Sequence, residues 1–268
     1  MKTVLKHLIF LSYLLLSLQN AKAQANGDYR SVATGNWNTA TTWERYNSTT
    51  LTWVTSGYPN GATNSVTIRA GHIITLSGTS PYACKNLVLQ AGSQLYCNSV
   101  GSNFYLNIWG NIINDGIIGN SGTFDAISFN MEGANDTISG SGIFEASRLR
   151  KNAATNPTTN LVLAQNVTLR FGSNSTTQIY SNVANTNFNV TIQAGVTLNL
   201  TGDATLTTKG HASLDGTDGK GVGERGGSYN IYGSMLVSGT IYLTNDNTNP
   251  TYATNWNVYN GDRKSTRL

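Results

Sequence analysis

Charged residues are scarce in this chain, at 11% of 268 residues, where ordinary soluble proteins have roughly 25%. Cysteine (2), proline (4) and histidine (3) are also scarce, and this argues against a zinc site built from several His and Cys ligands. Beyond Ala23, no window of a dozen positions has the helical period of an amphipathic helix. The chain therefore contains little helix, and we expect no metal centre of the histidine type.

Long apolar runs are absent apart from one at the N-terminus. Leu8–Leu18 is an apolar stretch that follows the basic residues Lys2 and Lys6. It is too short to span the ~30 Å of bilayer hydrocarbon, and Ala21-Lys22-Ala23 supplies the small residues that a signal peptidase reads. We predict a secretory signal peptide over residues 1–23, cleaved between Ala23 and Gln24, and no transmembrane segment.

The composition of the chain changes abruptly at its C-terminal end. Residues 262–268 read Asp-Arg-Lys-Ser-Thr-Arg-Leu, a charged heptapeptide that resembles the translation of a common sequencing adapter. We predict that it is an artefact and that the natural protein continues beyond Gly261; a genuine polar tail is the alternative. Without both ends, 11 basic and 12 acidic residues remain, so the net charge falls from +4 to −1. The apparent basicity therefore does not predict a nucleic-acid partner.

Uncharged polar residues take the place of the missing charges, with 33 Asn and 28 Gly. They accompany a repeat, because Val66-Thr67-Ile68-Arg69-Ala70-Gly71 returns as Val190-Thr191-Ile192-Gln193-Ala194-Gly195. Short alternating strands that end in Gly and recur along a chain are typical of stacked β architectures. Asn suits such stacks, since it forms ladders with Asn on neighbouring rungs and tolerates turn conformations.

We therefore predict an all-β fold, a right-handed single-stranded parallel β-helix over residues 64–261. The first four candidate rungs are spaced roughly 20 positions apart, near the length of one coil. An antiparallel β-sandwich is the alternative, with Val190–Ile192 and Val196–Leu200 as a hairpin across Ala194-Gly195. Candidate rungs begin at Val66, Leu87, Leu106, Ile127, Ile143, Leu161, Val190, Leu206 and Asn230.

Residues 24–63 lack the rung pattern and carry three of the five Trp: Trp37, Trp43 and Trp53. A solenoid needs a cap that covers the open end of its core and blocks edge pairing. We predict that this segment is the N-terminal cap. The alternative is that the three rings form a sugar-stacking surface, because Trp offers an apolar face with a polar edge.

Several short motifs in this region carry a family resemblance. They are Gly35-Asn36-Trp37, Thr42-Trp43, Pro59, Val66-Thr67-Ile68 and Ala70-Gly71-His72. Together they resemble the opening of secreted, Asn/Thr/Gly-rich surface proteins of Gram-negative bacteria that use the type IX secretion route and begin a β-helix like that of G8-type modules. The resemblance covers about residues 29–76. It implies export by that machinery to the outside or the outer cell surface, and a C-terminal sorting domain that is not visible here.

Candidate chemistry concentrates in one Gly-rich loop after Gly210. Asp215 and Asp218 offer hard oxygen ligands for Ca²⁺, although their spacing matches no standard calcium loop. Gly221–Gly226 matches G-x-G-x-x-G, but neither a strand nor a helix is predicted beside it, so a nucleotide site is not expected. A solvated turn is the alternative for the loop, and Arg148-Leu149-Arg150-Lys151 is interpreted as a solvated basic edge. The candidate ligand residues of the loop are His211, Asp215, Asp218, Glu224 and Arg225.

The two cysteines, Cys84 and Cys97, lie thirteen positions apart in a chain predicted to be exported. A disulfide between them is one interpretation, because exported proteins meet an oxidising compartment. Two buried thiols on adjacent strands are the other.

These observations favour a secreted or cell-surface protein without catalytic function, adhesin-like or glycan-contacting, as a module of a longer chain. Its expected partners are the secretion machinery and extracellular glycans or a host or cell surface, with no cofactor other than Ca²⁺ as a minor alternative. A polysaccharide lyase or glycoside hydrolase on a β-helix is the second hypothesis, although no clustered carboxylates of the kind such enzymes use are visible. A structural stalk is the third.

Overall fold

The chain folds into three ladders of parallel strands. The computed structural model describes residues 24–78, 82–97, 104–119, 127–151, 158–169, 178–181, 187–201, 205–210, 228–231, 235–237, 240–244 and 255–258. These residues form β-strands joined by turns, with a 3₁₀ turn at Ala40–Thr42. No helix among them is long and apolar enough to cross a membrane.

We call the three ladders faces A, B and C, and number the strands in chain order. Face A contains, in spatial order, β4 (Thr52–Val54), β3 (Trp43–Asn47), β1 (Tyr29–Ser31), β5 (Val66–Ile68), β8 (Leu87–Leu89), β11 (Ile112–Asn114), β14 (Asn135–Ser139), β17 (Thr158–Leu163), β20 (Asn187–Ile192) and β24 (Met235–Val237). Face B contains β2 (Gly35–Asn36), β6 (Ile73–Leu76), β9 (Gln94–Cys97), β12 (Ile117–Ile118), β15 (Ile143–Ala146), β18 (Val167–Leu169), β21 (Thr197–Thr201) and β25 (Thr240–Thr244). Face C contains β7 (Tyr82–Cys84), β10 (Tyr105–Ile108), β13 (Ser128–Met131), β16 (Arg148–Lys151), β19 (Gln178–Ser181), β22 (Thr205–Gly210), β23 (Ser228–Ile231) and β26 (Asn255–Val258).

The predicted parallel β-helix is confirmed by this pairing. The chain visits faces A, B and C in turn, as β5, β6 and β7, and then repeats the circuit one coil further on as β8, β9 and β10. The alternative of a sandwich hairpin is wrong for β20 and β21. β20 pairs in parallel with β17 and β24, and β21 pairs in parallel with β18 and β25, so the two strands are neighbours around a corner.

The predicted register of the rungs differs from the structure. Val66 and Leu87 are equivalent on face A, but Leu106 lies on face C and pairs with Tyr82. Coil length also varies, because the step from Val66 to its partner Leu87 is much shorter than the step from Val190 to its partner Met235. Since each coil contains three short strands with the same apolar alternation, sequence spacing alone does not distinguish one face from another.

The core is a column of aliphatic and aromatic side chains inside the three faces. On face A, Ile68 stacks on Leu89, and both are fully buried. On face C, Leu106 stacks on Phe129, which in turn stacks on Leu149. Each fully buried side chain of this size stabilises the fold by ~1.5–3 kcal/mol relative to exposure. Each coil therefore depends on the coils above and below it to bury its apolar residues.

The repeated Ala-Gly words form the corner between faces A and B. Gly71 and Gly195 have φ of +79° and +77°, a left-handed conformation that glycine adopts without steric cost. The amide of His72 donates to the carbonyl of Arg69 over 3.1 Å, and that of Val196 donates to Gln193 over 3.1 Å. The structure reveals a third copy, Leu87–Gly92, whose Gly92 has φ of +79°. The motif therefore marks the turn that ends a face A strand.

A column of side-chain hydrogen bonds lines the corner between faces C and A. Asp28 Oδ1 accepts from the amide of Ser65 over 2.9 Å, and Ser65 Oγ accepts from Asn86 Nδ2 over 3.0 Å. Asn86 Oδ1 accepts from the amide of Asn111, and Asn111 Oδ1 from the amide of Thr137, each over 2.9 Å. Short polar side chains thus satisfy amides of the next coil where the strand ladder is interrupted.

The predicted asparagine ladders are also present. Asn130 Nδ2 donates to Asn107 Oδ1 over 2.6 Å, and Asn160 Nδ2 donates to Asn135 Oδ1 over 2.6 Å. In both pairs the residues occupy consecutive coils. An amide both donates and accepts, so it can repeat at the ~4.8 Å coil spacing without the repulsion that like charges would suffer.

The N-terminal segment packs on the first end of the core and also starts the helix. Trp37 and Trp43 are fully buried with their rings edge-on, 5.2 Å apart. Their indole N–H groups donate to the carbonyls of Pro59 and Trp37, over 2.8 Å and 2.7 Å. β1 already pairs in parallel with β5, and β2 with β6, while β3 and β4 form an antiparallel hairpin outside β1. The segment therefore supplies part of a first coil in addition to its buried indoles.

Cys84 and Cys97 are buried thiols and not a disulfide in this structure. Cys84 ends β7 on face C, and Cys97 ends β9 on face B. The thiols are therefore buried, as in the second interpretation, but they lie on different faces and not on adjacent strands. Burial raises the pKa of the Cys84 thiol, so little of it is present as the reactive thiolate.

We predict that the folded protein resists thiol reagents. Cys84 should not react with Ellman's reagent in the native state, because it is buried and protonated at neutral pH. Two thiols should react after unfolding in guanidinium without reductant. If the unfolded protein contained no reactive thiol, the two cysteines would instead form a disulfide. A melting temperature that falls on addition of reductant would indicate the same.

We predict that glycines at different corners tolerate alanine very differently. A Cβ at Gly140 (φ +128°) would overlap the backbone carbonyl of Asn114 in the neighbouring coil, whereas a Cβ at Gly71 (φ +79°) would meet no atom within 4 Å. Gly71→Ala should therefore cost only the left-handed strain of ~1–2 kcal/mol, and Gly140→Ala a further ~1–3 kcal/mol of steric overlap. Urea denaturation of both variants measures the difference. An equal loss of stability in both variants would show that the neighbouring coil can move away and make room for the Cβ atom at Gly140.

Candidate functional site

Polar and aromatic side chains occupy outward positions on three neighbouring strands of face C. Along β10 the side chains of Leu106 and Ile108 point into the core, so Tyr105, Asn107 and Trp109 occupy the outward positions. Tyr105 and Trp109 are separated by about 13 Å along the strand direction. We call the surface formed by Tyr105, Asn107, Trp109, Asn130 and Arg150 the face C platform.

Arg150 connects three coils of the platform. Its backbone pairs with Asn130, which pairs with Asn107. Its guanidinium carbon nevertheless lies 5.4 Å from the ring centroid of Tyr105, on the far side of β13. The side chain therefore extends across β13, and this accounts for the burial of Ser128 and Asn130 at outward positions of that strand.

Two buried polar atoms of the platform have no hydrogen-bond partner among the described residues. They are the acceptor Asn130 Oδ1 and the donor Arg150 Nε. An unsatisfied buried polar atom costs ~1–3 kcal/mol. Because both atoms are covered by protein, this cost falls on the fold and not on ligand binding. The two residues pair across adjacent strands.

Trp109 supplies the apolar part of the platform. Its side chain is 37% exposed, among the more exposed large hydrophobic side chains of the described residues. Its amide donates to the carbonyl of Cys84 over 3.2 Å, so the residue continues the ladder of face C although it follows the end of β10. The exposed indole lies at one end of the platform, and the guanidinium of Arg150 lies near Tyr105 at the other end. This arrangement is suited to an extended saccharide, whose rings present C–H groups on one face and hydroxyls at the edge.

The three tryptophans predicted from the sequence lie elsewhere. Trp37 and Trp43 are fully buried, so neither ring can stack on a sugar, and this corrects the stacking alternative for both residues. Trp53 is half-buried, and the guanidinium of Arg30 lies 4.2 Å from its ring centroid. Of the predicted tryptophans, Trp53 alone keeps part of its ring at the surface.

Of the signal-cleavage and loop residues predicted from the sequence, only Gln24 lies within the described residues. Ala23 precedes the first described residue, and Gln24 is exposed at the start of that segment. No group of three or more His, Cys, Asp or Glu side chains that could hold a metal ion occurs among the described residues. The loop residues outside the described ranges are His211, Asp215, Asp218, Glu224 and Arg225.

The platform residues were missed by sequence reasoning. Tyr105-Leu106-Asn107-Ile108-Trp109 alternates polar or aromatic residues with aliphatic ones, a pattern that predicts an outward aromatic surface on a half-buried strand. Arg150 was interpreted as part of a solvated edge. Its placement over Tyr105 depends on two steps of strand pairing, from β10 to β13 and from β13 to β16, which no local pattern contains.

Ser31 and His72 form a polar contact that resembles a nucleophile and its base. Ser31 Oγ lies 2.8 Å from His72 Nδ1 and accepts from the amide of Arg69 over 2.9 Å. A hydroxyl oxygen can accept two hydrogen bonds and donate one, so either tautomer of His72 forms this contact. Ser31 is fully buried, so no substrate carbon reaches its oxygen. The contact fastens the N-terminal segment to the first complete coil.

No known protein family matches the chain, and no curated protein or solved structure shows significant similarity to it. The functional argument therefore depends on the residues themselves.

We predict that Ser31 contributes to stability through this contact. Ser31→Ala removes the buried partner of the Arg69 amide and of His72 Nδ1, so the free energy of unfolding should fall by ~1–3 kcal/mol. Ser56→Ala is the matched control, because Ser56 is exposed and its replacement should stay within ~0.5 kcal/mol. Urea titrations measure both. Equal stability of the two variants would contradict the fastening role.

Proposed function

We propose that the protein is a secreted or cell-surface β-helical protein without catalytic function, adhesin-like, which contacts extracellular glycans through the face C platform. The observation that carries the proposal is the exposed indole of Trp109 on the same rigid outer face as the Asn107 amide and the Arg150 guanidinium. Aromatic stacking and hydroxyl hydrogen bonding are the two interactions that a saccharide ring requires.

The β-helix supports saccharide binding because it holds the platform residues in place without a ligand. The platform strands β10, β13 and β16 are paired in register along their whole length. Binding residues on paired strands lose little conformational freedom when a ligand binds, so less of the interaction energy is spent on ordering them. The parallel coils also present equivalent positions at intervals of ~4.8 Å, which suits an extended polymer better than a small compact ligand.

The side chains of the platform are suited to binding more than to hydrolysis. Glycosidases generally use two carboxyl groups that flank the bond to be cleaved. The five platform residues are an arginine, two asparagines and two aromatics, and none of them is a carboxylic acid. These five side chains are therefore sufficient for binding a saccharide.

The cellular setting of the proposal comes from the sequence. The signal-peptide pattern of residues 1–23 and the resemblance of residues 29–76 to type IX surface proteins support export through that secretion machinery to the outer surface. The uncharged, Asn-rich exterior agrees with a surface module of a longer chain. Host or neighbouring cell-surface glycans are the partners we propose.

We predict that the purified protein binds saccharides on a glycan array and that Trp109→Ala weakens binding about tenfold or more, because the stacking surface is lost. Arg150→Gln should weaken it as well, since the guanidinium donors at the surface of the platform disappear. Tyr96→Ala is the matched control, because Tyr96 is a half-buried aromatic on face B, and its binding should stay at the original level. Circular dichroism checks that each variant is folded.

The same experiment separates the other two hypotheses. Absence of binding by the unaltered protein would favour the structural stalk. Release of reducing ends or unsaturated products from polysaccharides would favour the lyase or hydrolase, and in that case Asp215→Asn, Asp218→Asn and Arg225→Gln should abolish turnover. Binding that survives Trp109→Ala unchanged would remove the platform as the site.

A further inference from the structure

A second concave surface lies at the N-terminal end of face A, on a different face from the platform. It is a groove of about 170 Å³ between the hairpin β3–β4 and the outer surface of β5 and β8. We call it the cap groove. Its lining includes Arg30, Trp53, Ser65, Thr67, Arg69 and Gln90.

One wall of the cap groove is rigid. Arg30 donates from Nε and Nη2 to Glu44 Oε2, over 3.0 Å and 2.8 Å. The same guanidinium lies over the ring of Trp53 at 4.2 Å, and Tyr46 lies 5.2 Å from Trp53 on the neighbouring strand. The positive charge of Arg30 is therefore neutralised by Glu44 and held against an aromatic face. Arg30, Glu44 and Trp53 therefore shape this wall of the groove and add no net charge to it.

Arg69 provides the charge that is not neutralised. It follows the end of β5 and is exposed, and its amide is anchored on Ser31 Oγ over 2.9 Å. Within the described residues the ion pair found is Arg30 with Glu44, and the Arg69 guanidinium has no such partner. Asp28 is the carboxylate that lines the groove, and its two oxygens already accept from the amides of Ala25 and Ser65.

The remaining polar groups of the groove are mostly free to donate. Gln90 Oε1 accepts from the amide of Ala70 over 3.1 Å, which leaves the Gln90 amino group available as a donor. Thr67 pairs with Arg30 on the neighbouring strand, so its hydroxyl is on the same outer surface. A guanidinium with five N–H groups beside an amide donor and a hydroxyl is a donor-rich site around a cation that is in no ion pair among the described residues. Such a site selects a carboxylate, which only accepts hydrogen bonds when ionised.

We propose that the cap groove binds a sugar acid, with its carboxylate on Arg69 and its hydroxyls on Gln90 and Thr67. The groove volume of about 170 Å³ is below the ~300–1,000 Å³ of sites for drug-sized ligands, so the occupant is one residue of an acidic saccharide. Trp53 and Arg69 both line the groove. The site is independent of the face C platform, because the two surfaces share no residue.

The test is a calorimetric titration of the protein with glucuronate, glucose and acetate. Glucuronate should bind, whereas glucose and acetate should each bind about tenfold more weakly or not at all, because each lacks one of the two recognised groups. Binding of glucuronate should weaken as the salt concentration rises. Equal binding of glucose would remove the charge argument, and equal binding of acetate would reduce the site to a general anion site; either result overturns the proposal.

Variants then locate the site. Arg69→Gln should weaken glucuronate binding about tenfold or more. Lys85→Gln is the matched control, since it removes one positive charge from an exposed position outside the groove, and it should bind as the unaltered protein does. Trp109→Ala should leave glucuronate binding intact. Loss with Trp109→Ala but not with Arg69→Gln would overturn the groove and move the ligand to the platform, so the two proposals fail independently.

Discussion

Backbone hydrogen bonds between successive coils constrain the rest of this structure. Each strand is too short to be stable alone, and it becomes stable by pairing in register with the strand above and the strand below. The register is maintained at the corners. The left-handed glycines after β5, β8 and β20 turn the chain from face A to face B at the same step of these three coils. The side-chain column from Asp28 to Thr137 satisfies amides at the corner between faces C and A. With the register set, inward positions stack into one continuous core.

The same constraint explains the composition of the surface. Any outward residue is ~4.8 Å from its equivalents on the next coils, so a charged position would often face a like charge. Asparagine avoids this repulsion, and the pairs Asn107–Asn130 and Asn135–Asn160 use the spacing for hydrogen bonds. The few charges that remain are individually placed: Arg30 is paired with Glu44 over Trp53, and Arg150 extends across a strand to Tyr105. The outward positions that do carry a charge therefore mark the two surfaces to which we assign ligands.

Sequence reasoning succeeded where the signal was local and failed where it was not. The Val-Thr-Ile-x-Ala-Gly word correctly predicted a strand followed by a corner, because both features arise within six consecutive positions. The coil register was assigned wrongly because strands of faces A and C have the same alternation, so Leu106 seemed equivalent to Leu87 although it pairs with Tyr82. Arg150 was taken for a solvated residue because its contact with Tyr105 joins strands that are two coils apart. The loop after Gly210, where chemistry was expected, lies outside the described residues.

From the sequence alone it follows that this chain is all-β and stacked in short coils, because apolar alternation and glycine corners each act over a few residues. The scarcity of charge on its surface follows from the sequence as well. The three-dimensional structure was needed to establish which coil positions coincide, and therefore that Trp109, Asn130 and Arg150 share one face while Arg69 meets Trp53 and Gln90 in a groove on another. The physical reason is that coil length is not constant, since the step from Val66 to Leu87 is much shorter than the step from Val190 to Met235. Neighbours on adjacent coils are therefore set by strand pairing and not by any fixed spacing along the chain.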